Sequence, residues 1–168
     1  MKCGNFIQII YMNPHTISME CRYCKILERE NFGDLLLETR HWIVFLAPNQ
    51  SLVGTCVVAL NRHLEDLSGL EMDEWEDFAF LVKKMESALK GAFHATMFNW
   101  GCLMNASYLK DPPEPHLHWH LIPRYNHEVK VDGIRFEDVY FGHMKPQPPK
   151  DISLKTREMI SDRIKENL

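Results

Sequence analysis

Residues 116–122 read His-Leu-His-Trp-His-Leu-Ile. No other stretch of the chain restricts its fold as tightly. In an extended strand successive side chains point to opposite faces. His116, His118 and His120 therefore share one face, and Leu117, Trp119 and Leu121 share the other. Burying two leucines and a tryptophan fixes the register, because a slip of one residue would turn the apolar set into water. The segment predicts a strand over His116–Ile122 that presents a row of imidazoles. Nine histidines in 168 residues rarely alternate by chance with bulky apolar partners.

The flanks supply the rest of a sheet. Leu35–Glu38 and Trp42–Leu46 read as two strands with Arg40 and His41 between them. Thr55–Leu60 is β-rich and bounded by Gly54 and Asn61, and Met97–Asn105 alternates. Asp132-Gly133, centred in Glu128–Glu137, is a two-residue hairpin signal. Trp75, Phe78, Val82, Met85 and Leu89 recur at spacings of three and four, the stripe of a long amphipathic helix. Glu71, Asp73 and Glu74 suit its start, and Gly91 is the expected stop. A short helical turn is expected within Cys21–Glu30. A closing helix is expected over Ile152–Leu168, capped by Asp151 or Ser153 and buried through Ile160 and Ile164. Strands in runs, not alternating with helices, point to an α+β domain with an antiparallel sheet.

Composition narrows the function. The chain is 45% apolar and 25% charged, which suits one globular domain. No apolar run nears the roughly 20 residues that cross a bilayer. Met1–Ile10, with one lysine, does not read as a secretory signal. Five cysteines argue against a disulfide framework and for a reducing, cytoplasmic setting. A formal charge of −4 provides no long-range attraction for polymeric nucleic acid. Any phosphate must be held locally, which favours a small phosphorylated molecule, with neither a nucleic-acid polymer nor a membrane as partner.

Two chemistries fit a row of imidazoles: attack on phosphorus by a neutral ring, and metal ligation. Cys21 and Cys24 have the spacing of a metal clip, which needs two further ligands. Two reduced core thiols are the plain alternative. Cys3, Cys56 and Cys102 read as tail or core residues.

The pattern His-φ-His-φ-His-φ-φ, followed by Pro123, Arg124 and Tyr125, resembles the signature of the histidine-triad (HIT) family of nucleotide hydrolases and transferases. The likeness runs from about Cys21 to Tyr125. It takes in the Cys-x-x-Cys pair, the segment Asn61–Leu67, and Asn105, eleven residues before His116. It implies an antiparallel sheet with one long helix, usually paired as a homodimer. Residues 1–20 would be a lead-in, 21–145 the HIT domain, and 146–168 a C-terminal extension with a helix, all in one structural unit. By motif position His118 resembles the family nucleophile, which forms a nucleotidyl-histidine. His120 is expected to donate a hydrogen bond to substrate oxygens or the leaving group, and Asn105 to help hold phosphate or ribose. The resemblance also completes a structural zinc site from Cys21, Cys24, His63 and His116. Substrates would be small nucleotides, either dinucleoside polyphosphates or nucleoside phosphoramidates. A non-catalytic nucleotide sensor and a zinc hydrolase ligated by the triad are the rivals. Two features depart from the pattern. Many members carry Gly-Gln-Ser/Thr where this chain has Asp111, Pro112, Pro113, Glu114 and Pro115. Ala47 also stands where many have a ribose-binding acid. Glu114 is a candidate for acting on the leaving group, although a solvated carboxylate is the plainer reading. His143 is a weaker candidate for lining the site.

Overall fold

A computed structural model describes residues 21–27 and 34–168. The expected lead-in lies outside the described residues. Helix α1 (Arg22–Leu27) is followed by strands β1 (Leu35–Glu38), β2 (Trp42–Leu46) and β3 (Cys56–Leu60). The long helix α2 (Met72–Phe93) leads to β4 (Met97–Gly101), and β5 (His118–Arg124) carries two of the three triad histidines. The chain closes with β6 (Val129–Val131), β7 (Ile134–Phe136) and α3 (Leu154–Lys165). Five strands form one antiparallel sheet in the order β1-β2-β3-β5-β4, and β6 and β7 form a separate hairpin. The α+β architecture is therefore observed.

Register explains which face does what. Trp42 pairs Leu60, Val44 pairs Val58, Val58 pairs Trp119, and Leu121 pairs Trp100. These side chains share the face covered by α2. Phe78 of α2 lies against Trp42, Trp100 and Trp119, with ring centroids 5.0, 5.6 and 5.0 Å away. The Trp42 Nε1–H donates to the Glu74 carbonyl at 2.8 Å. Leu81, Met85, Ala88, Leu89 and Ala92 supply the buried row of α2, with Trp75, Phe78 and Val82 half-buried beside it. On the opposite face His118 pairs Ala59, and His120 pairs Val57 and Gly101. That face carries the imidazoles.

Three boundaries differ from the sequence reading. α2 runs past Gly91 and ends at His94, which takes the left-handed conformation (φ 57°) and donates its N–H to the Lys90 carbonyl. The backbone of a histidine thus takes the conformation that a glycine usually takes at a helix C-terminus. β4 stops at Gly101, and Asn105 opens a short 3₁₀ turn. β5 begins at His118, two residues later than expected, although the backbone of Leu117 already bonds to Leu60 and Leu64.

Other local expectations hold. Asp132 and Gly133 both have positive φ (51° and 75°), as a tight hairpin of this hand requires. Ser153 caps α3 by accepting from the Thr156 N–H, and Ile160 and Ile164 are buried. At the start of α2, Glu71 and Glu74 form a reciprocal capping box. Arg62 grips the buried Glu74 through two bonds of 2.6 and 2.8 Å. Burial alone would push the Glu74 carboxyl up. The Arg62 guanidinium and the Glu71 amide more than offset this and hold it below its ordinary value.

Two arginines tie the segments after β7 to the sheet. Arg124, at the end of β5, makes a two-pronged pair with buried Asp138 and also donates to the Tyr140 and His143 carbonyls. Arg157 of α3 bonds to Asp34 and to the carbonyls of Leu46, Ala47 and Pro48. Among the described residues no helix is long and apolar enough to cross a membrane.

Candidate active site and metal clip

His118 is held in one orientation by its own strand. Its Nδ1–H donates to the His116 carbonyl at 2.7 Å. The proton is therefore on Nδ1, and Nε2 keeps its lone pair. The residue is only 5% exposed. Burial pushes its pKa down, the hydrogen bond to His116 resists, and neighbouring His120 pushes it further down. The net effect keeps the imidazole neutral at neutral pH. His120 lies along the same face with ring centroids 5.1 Å apart. Burial lowers its pKa too, against a hydrogen bond with the Leu103 backbone.

His116 looks the other way. Its Nε2–H donates to the Leu60 carbonyl at 2.9 Å, which leaves Nδ1 as the acceptor. That Nδ1 lies 3.4 Å from Cys21 Sγ and 3.7 Å from Cys24 Sγ. His63 Nδ1 lies 3.5 Å from Cys24 Sγ. All four donor atoms fall within 4.8 Å of one another. A tetrahedral zinc ion with bonds of ~2.3 Å to sulfur and ~2.0–2.1 Å to nitrogen requires sulfur–nitrogen edges of about 3.5 Å. The donor set and its spacing fit that ion. Carbonyl and carboxylate partners on the far ring nitrogens are also typical of metal-binding histidines. Here Leu60 serves His116, and Glu65 lies 3.8 Å from His63 Nε2.

The four donors that the resemblance implied are thus brought together by three segments: α1 with the residue before it, the loop after β3, and the entry to β5. The three triad imidazoles do not converge on one centre, because His118 turns its Nδ1 to its own backbone. Asn105 is exposed at the start of its 3₁₀ turn. Glu114 is half-buried and pairs with Lys110 rather than standing free in solvent. His143 is exposed, and its carbonyl serves Arg124. Two residues that sequence reasoning passed over border the site. Tyr23, between the clip cysteines, stacks on His118 with centroids 4.6 Å apart, and Phe45 lies 6.3 Å from Tyr23. Cys-x-x-Cys spacing hints at Tyr23 only once the clip is known to sit beside the triad.

Sheet topology, one long covering helix and the histidine strand define a histidine-triad protein. The HIT domain family model matches residues 28–127, and the chain belongs to that family. It is 28% identical over 119 residues to an uncharacterised HIT-like protein of Methanocaldococcus jannaschii, covering 71% of this chain and 88% of that one. It is 24% identical over 111 residues to the adenosine 5'-monophosphoramidase of Saccharomyces cerevisiae, covering 66% of each. Among solved structures, a hypothetical histidine triad nucleotide-binding protein of Sulfolobus tokodaii superposes with a TM-score of 0.62 at 23% identity, over 88% of this chain and 91% of that one. A zinc-bound histidine triad family protein of Mycobacterium smegmatis gives 0.59 at 16% identity, over 88% and 95%.

Proposed function

We propose that this chain is a nucleotide hydrolase or nucleotidyltransferase that works through a covalent intermediate on His118. One observation carries the reading: Nδ1 of His118 is committed to the His116 carbonyl, so Nε2 is an oriented, unprotonated nucleophile. In the first step Nε2 attacks the α-phosphorus of a nucleotide. A P–N bond to histidine forms, and the bond from phosphorus to the leaving oxygen or nitrogen breaks. The departing group takes a proton from His120 or from solvent. In the second step water attacks the same phosphorus and gives its proton to His120 or to solvent, the P–N bond to His118 breaks, and the nucleoside monophosphate leaves. His120, 5.1 Å along the face, donates to the developing charge or to the leaving group. Asn105 supports phosphate or ribose. Nucleoside phosphoramidates and dinucleoside polyphosphates are the substrate classes; likeness to the yeast phosphoramidase supports the former.

Cys21, Cys24, His63 and His116 would hold a structural zinc ion. When bound, zinc ties α1 to the sheet and adds to folding stability. Because His116 gives its side chain to the clip and its carbonyl to His118, a closed clip also steadies the nucleophile. Clip thiols must be reduced to bind, which supports a cytoplasmic location. Residues 21–145 form the HIT domain and 146–168 its extension. The protein is a homodimer paired through β4. This strand is a sheet edge, and Met97 and Leu103 beside it are 38% and 51% exposed.

Incubation with adenosine 5'-monophosphoramidate and with diadenosine triphosphate, followed by chromatography, tests the reading. His118→Asn should abolish turnover and retain nucleotide binding, and acid quenching of wild type should trap a nucleotidyl-protein. Tight binding without products would favour the sensor. Wild-type rates in His118→Asn would sink the covalent route.

A further inference from the structure

A single ring joins the metal clip to the nucleophile. Tyr23 lies between Cys21 and Cys24, both buried, on the six-residue helix α1. Its ring stacks on His118 at 4.6 Å and 29°, and on His116 at 5.2 Å and 30°. Phe45 of β2 lies 6.3 Å from Tyr23, at a tilt of 44°. A face-on contact leaves the in-plane lone pair of Nε2 open, yet it hinders rotation of the imidazole. His118 is therefore restrained twice: through Nδ1 by its strand, and across its face by Tyr23. The strand restraint is permanent. The second is only as firm as α1, and a helix of six residues does not hold itself together in water. Cys21 and Cys24, facing His63 and His116 across the sheet entry, are what anchor it.

We propose that Tyr23 is a positioning residue for His118, which makes placement of the nucleophile depend on closure of the clip by its metal. That role rests on His118 being the nucleophile. It predicts that the two faces of the site respond together: loosening the clip loosens the ring.

The test uses protein purified with its zinc and labelled at histidine. His118 ring-proton signals are assigned by their loss in His118→Asn. Three readouts are taken for wild type, Tyr23→Phe and Tyr23→Leu: zinc content, the His118 signals, and kcat and KM with the nucleotide that wild type turns over. In Tyr23→Leu we expect zinc retained, His118 signals displaced downfield as the ring current is lost, kcat reduced about tenfold, and KM within about twofold. Tyr23→Phe should restore both signals and rate, because it keeps the ring. Chelation of wild type should displace the same signals in the same direction. Unmoved His118 signals in Tyr23→Leu overturn the proposal. So does a rise in KM with kcat unchanged, which would make Tyr23 a substrate contact. Should Tyr23→Leu lose zinc or fail to fold, chelation of wild type decides, and signals that ignore zinc removal overturn it. Failure of wild type to turn over any nucleotide would remove the nucleophile role instead. The NMR shifts would still judge whether Tyr23 holds that ring.

Discussion

Arg124 ends the strand that carries His118, the proposed nucleophile, and its removal should be among the costliest single changes in the molecule. Its side chain is 4% exposed, and that of its partner Asp138 is 0% exposed. The guanidinium gives two bonds to the carboxylate, at 2.6 and 3.0 Å, and two more to the carbonyls of Tyr140 and His143, at 2.7 and 3.2 Å. Arg124→Met keeps much of the apolar bulk but strands a buried carboxylate. Gln147 and the Tyr125 N–H still reach Asp138, yet neither is charged. Breaking such a pair from one side costs about 3–5 kcal/mol. For a domain of this size that is a fall in melting temperature of roughly 6–20 °C. Thermal and urea unfolding of Arg124→Met, Asp138→Leu and the double variant give the coupling. The double variant should be cheaper than the sum of the singles by about 2 kcal/mol, because it no longer leaves a charge unpaired. A loss under about 1 kcal/mol in Arg124→Met, or simple additivity, would refute the view that this pair clamps residues 138–143 to β5.

Two further outcomes follow from the metal clip and the helix cap. Cys21→Ser should retain less zinc and melt at a lower temperature, measured by metal analysis and calorimetry; wild type free of zinc, with an unchanged melting point in the variant, removes the metal site. Glu74 is held below its ordinary pKa by Arg62 despite its burial. A depressed carboxylate adds stability above its unfolded pKa and loses it as pH falls through the folded value. Urea unfolding between neutral and acid pH should show that acid loss in wild type. Arg62→Met should be less stable at neutral pH by about 1–3 kcal/mol, with the gap narrowing in acid.

Much of the sheet was legible because its strands differ in kind. β1 and β2 are short apolar runs, LLLE and WIVFL, parted by the polar Thr39–His41, and the histidine strand has a period of two that no helix shares. The helix end at His94 was not legible. Gly91 offers the usual stop, yet its surroundings let α2 continue until Phe93 is buried. Nor was the early end of β4, since alternation persists beyond Gly101 after the pairing with β5 has ended. The clip ligands could be proposed from the family likeness, but their approach to 3.4–3.7 Å is a tertiary fact. So is the stacking of Tyr23, which depends on where α1 docks. Long-range arginine anchors such as Arg157 to Asp34 leave no local pattern at all.

The loop between β4 and β5 carries the last consequence. In many relatives that stretch supplies hydrogen bonds to phosphate. Here positions 112, 113 and 115 are prolines with no N–H to give. The fourth, Glu114, donates its N–H to the Ser107 carbonyl and pairs its carboxylate with Lys110. Residues 112–115 therefore have no spare backbone donor for a departing group, and Pro113 has no hydroxyl to protonate it. With His120 serving the phosphate oxygens, a leaving group that the loop does not help must be stable on its own. Turnover should then rise steeply with leaving-group acidity: acidic phosphate or aryl leaving groups fast, basic alkylamines slow. A series of adenylyl substrates graded in leaving-group pKa, compared by kcat/KM, measures that slope. Pro113→Ser should raise the rates of the basic amines most and flatten the slope, by about tenfold at the slow end if one donor is restored. A flat dependence in wild type would mean that His120 protonates the leaving atom rather than serving the phosphate oxygens, and the prolines would then be without catalytic effect.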